Sequence, residues 1–259
     1  MTAFRVAAIA VVLLLCSAGR FVSQQDTPNL TLRLSPPTLE HWAGTDHLGR
    51  DVLTRTLRAA SASAAVALPA WMVATCFGTF VGVIGATTGK RIVASVIDWA
   101  IKVVFATPSF LVLIGLGGVL GRGIGTIFVV VVLVGWAFPA RHARAIARDV
   151  LGAPYTRAAL AMGFSPSEIA RFVLAPACFR TVLAASGGLI VEILALDLVL
   201  TLFGFGPPPP SPTFGLLLSD GLRFYSAAPW AVLTPLGVIC GICLCFRAAV
   251  RYTAFHDSV

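Results

Sequence analysis

Charge is scarce in this chain. Only 12% of its 259 residues are charged, 58% are hydrophobic, and the mean hydropathy is +0.91. Soluble globular proteins carry about twice this share of charged residues. The composition therefore excludes a water-soluble domain and predicts an all-α polytopic membrane protein, because apolar stretches of this extent need lipid as their solvent.

Groups that enzymes use for chemistry are also sparse. The chain has no G-x-x-x-x-G-K-[ST] phosphate loop and no hydrolytic triad, so we do not expect it to bind or hydrolyse ATP alone. Its four histidines (His41, His47, His142 and His256) do not converge at one membrane depth, as a membrane enzyme would require. The sequence predicts no catalytic residues.

Cysteine usage does not indicate a disulfide framework. Three of the six cysteines have a spacing that resembles a metal site: Cys240, Cys243 and Cys245. They lie in an apolar segment without a nearby acid or histidine, so we interpret them as small packing residues. We expect no metal and no cofactor on this chain.

Six segments are long enough to cross a bilayer, which takes about 20 mostly apolar residues per helix. They are residues 4–22, 61–86, 96–120, 124–142, 181–205 and 229–249. The second and fifth are candidates for tilted or broken helices. The first has the early arginine and apolar run of a signal peptide, but it lacks a clean A-x-A site, so we interpret it as an anchor.

The distribution of charge predicts the topology. With the N-terminus inside, the cytoplasmic segments hold twelve basic and four acidic residues, whereas the outer segments hold seven and five. The positive-inside rule thus places both termini in the cytoplasm. The net charge of +8 results from this excess of basic residues in the cytoplasmic segments. We do not expect nucleic-acid binding, because no aromatic stacking platform accompanies the basic residues.

Residues 23–60 are predicted to form an extracytoplasmic segment that ends in an amphipathic helix. Val52, Leu53 and Leu57 share one helical face, and Asp51 and Arg55 share the opposite one at i,i+4. We expect this helix to lie on the outer membrane surface. An ordinary exposed turn before a span would give a similar pattern.

The segment from Tyr155 to Pro176, which lies between two long apolar segments, predicts a positively charged helix-glycine-helix hairpin. Ser165 and Glu168 form an S-x-x-E capping box with Pro166 at the first helical position, and Gly163 ends the preceding helix. Such a hairpin offers a compact surface for a partner protein.

Motifs in this segment and elsewhere resemble those of a known family. Ala158, Ala159, Gly163 and Pro176 fall where permease subunits of bacterial ABC importers carry an E-A-A-x-x-x-G loop that ends in proline. Gly44 to Arg55, reading G-T-D-x-L-G-R-D-V-L-x-R, resembles the C-type permeases of dipeptide and oligopeptide importers. Further motifs agree in order: Gly135-Trp136 before Ala140-Arg141, the run from Leu202 to Gly206, Pro209 to Gly215, Ser219 to Gly221, and Ala228 to Trp230.

This resemblance implies a type I ABC importer permease fold in the bacterial cytoplasmic membrane, with residues 1–22 as anchor and 61–259 as permease core with the hairpin at 154–176. The implied partners are a second homologous permease, one or two ATPases that hold ATP and Mg²⁺, and an extracytoplasmic binding protein. It also implies a docking set on the hairpin: Arg157, Ala158, Ala159, Gly163, Ser165, Pro166, Glu168, Ile169 and Pro176.

Three positions depart from the family pattern. Arg157 occupies the usual glutamate position of the docking motif, Phe214 replaces a tryptophan, and Ala175 replaces a leucine. An arginine would repel a basic groove on an ATPase unless that partner carries a compensating acid. Either the ATPase has changed accordingly or coupling is weaker.

Three residues are candidates for the translocation path. Glu192 and Asp197 are the acids that lie deep in a predicted span, where an isolated carboxylate is costly, so each should face protein or water. Five residues place them about 140° apart on a helix. Asp197 matches an acidic family position, and either a pathway role or a structural hydrogen bond would explain it. Pro108 can kink the third span.

The outer mouth, or a contact with the binding protein, is predicted from two stretches. The candidate residues are Asp46, Arg50, Asp51, Pro209, Pro210, Pro212 and Phe214. The proline run should be stiff and extended, and ordinary loop rigidity would explain it equally.

Small residues recur at four-residue spacing in three spans. The pairs are Gly78 and Gly82, Gly85 and Gly89, Gly117 and Gly121, and Gly237 and Gly241. They allow helices to approach closely and to slide, although static packing would give the same pattern.

Other functions remain open at this level. Related permeases import nickel, metallophores or other small solutes, and the sequence does not separate these cargoes from peptides. A secondary transporter would be expected to show an internal repeat, and we find no convincing one. A channel or secondary transporter would differ by transport that persists without ATP.

Overall fold

The computed structural model describes residues 27–121, 123–202 and 212–256, and within this part of the chain the architecture is helical. The β pairing described there is a single bridge between Thr45 and Asp51. The helices are α1 (Val52–Thr87), α2 (Arg91–Ala106), α3 (Ser109–Leu120), α4 (Ile124–Gly135), α5 (Ala137–Gly152), α6 (Pro154–Ala161), α7 (Pro166–Ile169), α8 (Ala175–Ala185), α9 (Gly188–Leu202), α10 (Phe214–Arg223) and α11 (Trp230–His256).

The predicted amphipathic helix is not separate from the second span. Helix α1 runs without a break through both, over 36 residues. Asp51 caps its start, since Thr54 N donates to Asp51 Oδ1 over 2.7 Å, and no glycine or proline occurs before Pro69 to interrupt propagation. The predicted amphipathic stretch is therefore the first part of a longer helix.

The third predicted span is broken. Helices α2 and α3 meet at 89°. Thr107 adopts an extended conformation, with φ −95° and ψ 121°, because the ring of Pro108 disfavours the helical region for the residue before it. The predicted effect of Pro108 is confirmed, and it is a break rather than a mild kink.

Two helices of the described chain are long and apolar enough to cross a membrane, or three if the bent pair is one span. The first is Val52–Thr87, which contains the second predicted span, and the other is Gly125–Gly152, which takes in α4 and α5 and overlaps the fourth predicted span. The fifth segment is interrupted between α8 and α9, and residues 4–22 lie outside the described part. In the sixth predicted span, Trp230–Cys245 forms an apolar helix that is shorter than these two.

The chain divides into two compact units. The first comprises residues 1–68, 113–128 and 191–249. Its core includes Ala43, Val52, Ala228 and Ala231. Trp230 Nε1 donates to the carbonyl of Thr45 over 3.1 Å, which ties the segment before α1 to the start of α11.

The second unit comprises residues 69–112, 129–190 and 250–259. Here α1 and α5 approach closely at two glycines. A Cβ at Gly78 would overlap the carbonyl oxygen of Trp136, and a Cβ at Gly82 would overlap the carbonyl oxygen of Ala140. The prediction of close approach is confirmed for this pair. At Gly237 and Gly241 a Cβ would meet no described atom within 4 Å.

Candidate functional site

The hairpin at residues 154–176 begins where α5 ends. Pro154 occupies the first turn of α6, and the Thr156 hydroxyl donates to the carbonyl of Val150 over 2.6 Å. Gly163 has φ +93°, a left-handed conformation that favours glycine. Phe164 N then donates back to the carbonyl of Ala159 over 3.2 Å. Helix α6 is thus closed by a glycine turn.

The capping box is present at the start of α7. Ser165 N donates to Glu168 Oε2 over 2.7 Å, and Glu168 N donates to Ser165 Oγ over 3.3 Å. Hydrogen bonds from Ser165 hold the pKa of the exposed Glu168 carboxyl below its usual range. Two backbone donors of the helix start are satisfied reciprocally, so the turn after Gly163 has a fixed geometry.

Helix α7 continues as a π-helix over Ala170–Leu174. The N–H of Ala175 donates to the carbonyl of Ala170, five residues earlier. Pro176, which has no N–H, follows in the first turn of α8. The wider turn lets the chain pass the proline without leaving the helical path.

One side of the hairpin is anchored to α5. Ile169 is 2% exposed, and it joins Leu174 and Cys178 in a cluster with Ala143 and Ala147. Ile169, which the sequence assigned to the docking set, therefore supports the hairpin from within and offers no surface.

The other side is exposed and apolar. Met162 is 73% exposed, and Arg157 and Ala158 are exposed on α6. The large apolar side chains exposed on the hairpin are Tyr155, Leu160, Met162, Phe164 and Phe172. The sequence prediction missed this patch, although Met162 and Phe164 directly flank the turn expected at Gly163 and could have indicated it.

Asp197 is buried in the first unit. Its side chain is 6% exposed, and Ser63 Oγ donates to its Oδ2 over 2.8 Å. Both residues line a cavity of about 90 Å³ with Pro212 and Thr213. Glu192 is exposed. This agrees with the predicted angle of about 140° between Glu192 and Asp197 around the helix. The two acids therefore do not share one site.

Three outer-mouth candidates, Asp46, Arg50 and Asp51, take part in ion pairs, and the pair between Asp46 and Arg55 is buried. Asp46 Oδ2 accepts from Arg50 Nε and from Arg55 Nη1, both over 2.8 Å, while Asp51 Oδ2 lies 3.0 Å from His41 Nδ1. Asp46 and Phe214 are buried, so their side chains support the first unit from within and are not accessible to a binding protein. The sequence had not selected Arg55, and Pro209 and Pro210 lie outside the described residues.

Basic side chains of α5 contact α2 in the second unit. Arg144 Nη1 lies 2.7 Å from Asp98 Oδ1 and donates to the carbonyl of Ala94 over 3.0 Å. The guanidinium carbon of Arg141 lies 5.5 Å from the centre of the Phe105 ring. The two helices are thus joined by charge as well as by packing.

Sequence comparisons match the chain to one family of transport proteins. Residues 78–255 match the model of the binding-protein-dependent transport system inner membrane component. The chain is 29% identical over 237 residues to the oligopeptide transport system permease protein OppC of Bacillus subtilis (strain 168), covering 90% of this chain and 76% of that protein. It is 30% identical over 214 residues to the dipeptide transport system permease protein DppC of the same organism, covering 82% and 67%.

Solved structures share the fold at low sequence identity. A chain of an amino acid ABC transporter matches with a TM-score of 0.59 and 14% identity, covering 74% of this chain and 89% of that one. A chain of the inward-facing MetNI methionine ABC transporter matches with a TM-score of 0.55 and 17% identity, covering 76% and 95%. The helical arrangement is similar to that of membrane subunits from ABC importers.

Proposed function

Because the chain belongs to the family of binding-protein-dependent transport system inner membrane components, we propose that it is one of two permease subunits in an ATP-driven peptide importer. The observation that carries the proposal is the match to peptide permeases over 80–90% of the chain. The chain would form half of the translocation path, cross the membrane six times and keep both termini in the cytoplasm. Separate ATPase subunits would bind ATP and Mg²⁺.

The hairpin is proposed as the docking element for an ATPase. Its exposed apolar patch is the kind of surface that a partner groove covers. The capping box and the Ile169 anchor hold that patch in one orientation, which reduces the ordering cost of binding. The same anchor would transmit movement of the ATPase to α5 as a rigid-body displacement.

The site of substrate delivery is proposed to comprise the cluster around Asp46 and the Asp197 cavity, both in the first unit. A binding protein would deliver peptide at this site, and Asp197 would face the route of a substrate ammonium group. Support comes from the polar lining of an otherwise apolar cavity, since a buried carboxylate is kept only where it has a partner or a use.

Assembly and ATP hydrolysis test the proposal. The tagged chain would be purified from native membranes in mild detergent, its partners identified and ATPase activity measured. A double substitution Met162→Ser with Phe164→Ser should remove the ATPase from the purified material. Leu222→Ser, an exposed apolar residue of the other unit, should leave assembly unchanged.

Either of two results would overturn the proposal. The chain could purify alone under conditions where a known importer of this type stays intact, which would contradict the subunit role. Alternatively, the double variant and Leu222→Ser could retain the ATPase equally, which would contradict the hairpin as the docking element.

A further inference from the structure

A basic cavity lies between α2 and α5 in the second unit. It has a volume of about 600 Å³. Its charged lining comprises four cationic side chains, Lys102, Arg141, Arg144 and Arg148, and one anionic side chain, Asp98. Four cations against one carboxylate leave a formal excess of three positive charges around one opening. Neither the proposed docking role nor the Asp197 cavity uses these residues.

Arg144 is the key residue of this cavity. It is 5% exposed, and its Nη1 is satisfied by Asp98 and by the carbonyl of Ala94. Its Nε is buried and has no hydrogen-bond partner among the described residues. Because this Nε has no accessible surface, Arg144 contributes its positive charge to the site, while the exposed side chains of Lys102, Arg141 and Arg148 offer the donors that a bound anion can reach.

Asp98 does not neutralise the remaining cations. Its carboxylate is already bound to Arg144, and Arg148 Nη2 lies 3.9 Å from its second oxygen. Arg141 is placed over the Phe105 ring rather than against a carboxylate. An oxyanion with several acceptor oxygens would suit guanidinium donors better than another single contact.

Apolar surface adjoins the charged lining. Ile101, Phe105, Ala106 and Ala145 complete the wall of the cavity. The neighbouring face of α2 exposes apolar side chains at helical spacing: Ile92, Val96, Trp99 and Val103. A ligand with a phosphate at one end and a hydrocarbon chain at the other would satisfy both surfaces.

We propose that this cavity binds the phosphate headgroup of an anionic phospholipid, with its acyl chains along the exposed face of α2. Basic pockets between membrane helices recognise lipids of this kind through their phosphates. The proposal requires that α2 and α5 lie in or at a bilayer, and it does not depend on the cargo or on the docking hairpin. Because Ile169 packs against Ala143 and Ala147 of α5, the lipid would stabilise the helix that supports the hairpin.

Lipid retention tests the proposal directly. The purified complex would be exposed to an equimolar mixture of phosphatidylglycerol and phosphatidylcholine, and bound lipids would be counted by native mass spectrometry. We expect preferential retention of phosphatidylglycerol. Lys102→Gln and Arg141→Gln should each weaken it roughly fivefold, and the pair roughly 25-fold, as expected for loss of one and two charges near an anionic headgroup.

Controls separate the cavity from general surface charge. Lys90→Gln and Arg171→Gln remove basic residues outside the cavity and should leave retention unchanged. Lys102→Arg should preserve it. Arg144 is avoided as the first variant, because its contacts with Asp98 and Ala94 join the two helices and their loss could unfold the unit.

Three outcomes would overturn the proposal. Equal retention of the two lipids would exclude headgroup recognition. Loss of phosphatidylglycerol in the control variants as large as in the cavity variants would indicate nonspecific charge. Displacement of phosphatidylglycerol by inorganic phosphate at equal concentration would assign the cavity to a free anion rather than to a lipid.

Discussion

At the scale of single residues, two glycines decide how closely α1 and α5 approach. Substitution of Gly78 or Gly82 by alanine would place a Cβ against the backbone of Trp136 or Ala140, which cannot move aside as a flexible side chain can. We expect each variant to lower stability by about 1–3 kcal/mol, as overpacking does. The thermal unfolding midpoint of the purified complex would measure it.

Gly237→Ala is the matched control for these variants, because a Cβ there would meet no described atom within 4 Å. In a helix interior, alanine is favoured over glycine by about 0.5–1 kcal/mol, so this variant should be neutral or slightly stabilised. Equal destabilisation at all three positions would contradict close packing as the cause.

Asp197 gives a second prediction at this scale. Asp197→Asn keeps the size of the side chain and the bond to Ser63, but it removes the negative charge from the cavity. If the carboxylate meets a substrate ammonium group, a charge-assisted bond of about 1.5–3 kcal/mol is lost, and uptake at subsaturating peptide should fall about tenfold or more. Radiolabelled peptide uptake would measure it in vesicles with normal complex content.

Ser63→Ala separates the two explanations of Asp197. It removes the structural hydrogen bond and keeps the charge, so a purely structural role would make its effect at least as large as that of Asp197→Asn. Unchanged uptake by Asp197→Asn across several peptides would remove the pathway role.

At the scale of elements, the hairpin depends on its capping box. Ser165→Ala removes the acceptor for Glu168 N, and we expect amide protection of residues 167–170 to fall roughly fivefold, as is typical when an N-cap is lost. Hydrogen exchange with mass spectrometry would measure it. Ser167→Ala, which changes a serine of the same turn, is the control.

The cap also predicts a pH dependence. Bonding to Ser165 depresses the pKa of Glu168 in the folded hairpin, so its contribution is complete above the unfolded pKa and is lost as the pH falls through the depressed value. Hairpin protection should therefore decrease on acidification in the wild type and change less in Glu168→Gln. Parallel decreases in both would indicate another titrating group.

Much of this element was predictable because its determinants are local. Ser165, Pro166, Glu168 and Gly163 act through bonds and dihedrals within a few residues, and the sequence carries them directly. The burial of Ile169 was not predictable, because it results from packing against Ala143 and Ala147 on another helix. Likewise, Thr107-Pro108 indicated a bend, but the residues alone did not give its angle of 89°.

At the scale of the whole molecule, Arg157 tests partner recognition. It is exposed on α6, and the motif resemblance implies that it replaces the glutamate of the docking motif. If the cognate ATPase carries a compensating acid, Arg157→Glu should weaken its recovery with this chain, because two like charges would meet. Co-purified ATPase relative to the chain would measure it, at low and at high salt.

The salt dependence identifies the cause of that change. Loss through charge repulsion should diminish at high ionic strength, whereas loss through misfolding should not. Arg157→Gln should give an intermediate effect. An increase in recovered ATPase with Arg157→Glu would contradict a compensating acid and would show that this arginine weakens coupling.

The sequence by itself determined the helical membrane class, the capped glycine hairpin, the position of the break at Pro108 and the family, because these depend on hydropathy, backbone restriction and motifs read along the chain. Tertiary structure decided which side of the hairpin is exposed, that Asp46 and Phe214 are buried, that Asp197 pairs with Ser63, and that α2 and α5 enclose a basic cavity. These features join residues far apart in sequence, and burial and electrostatic pairing depend on the distance in space between them.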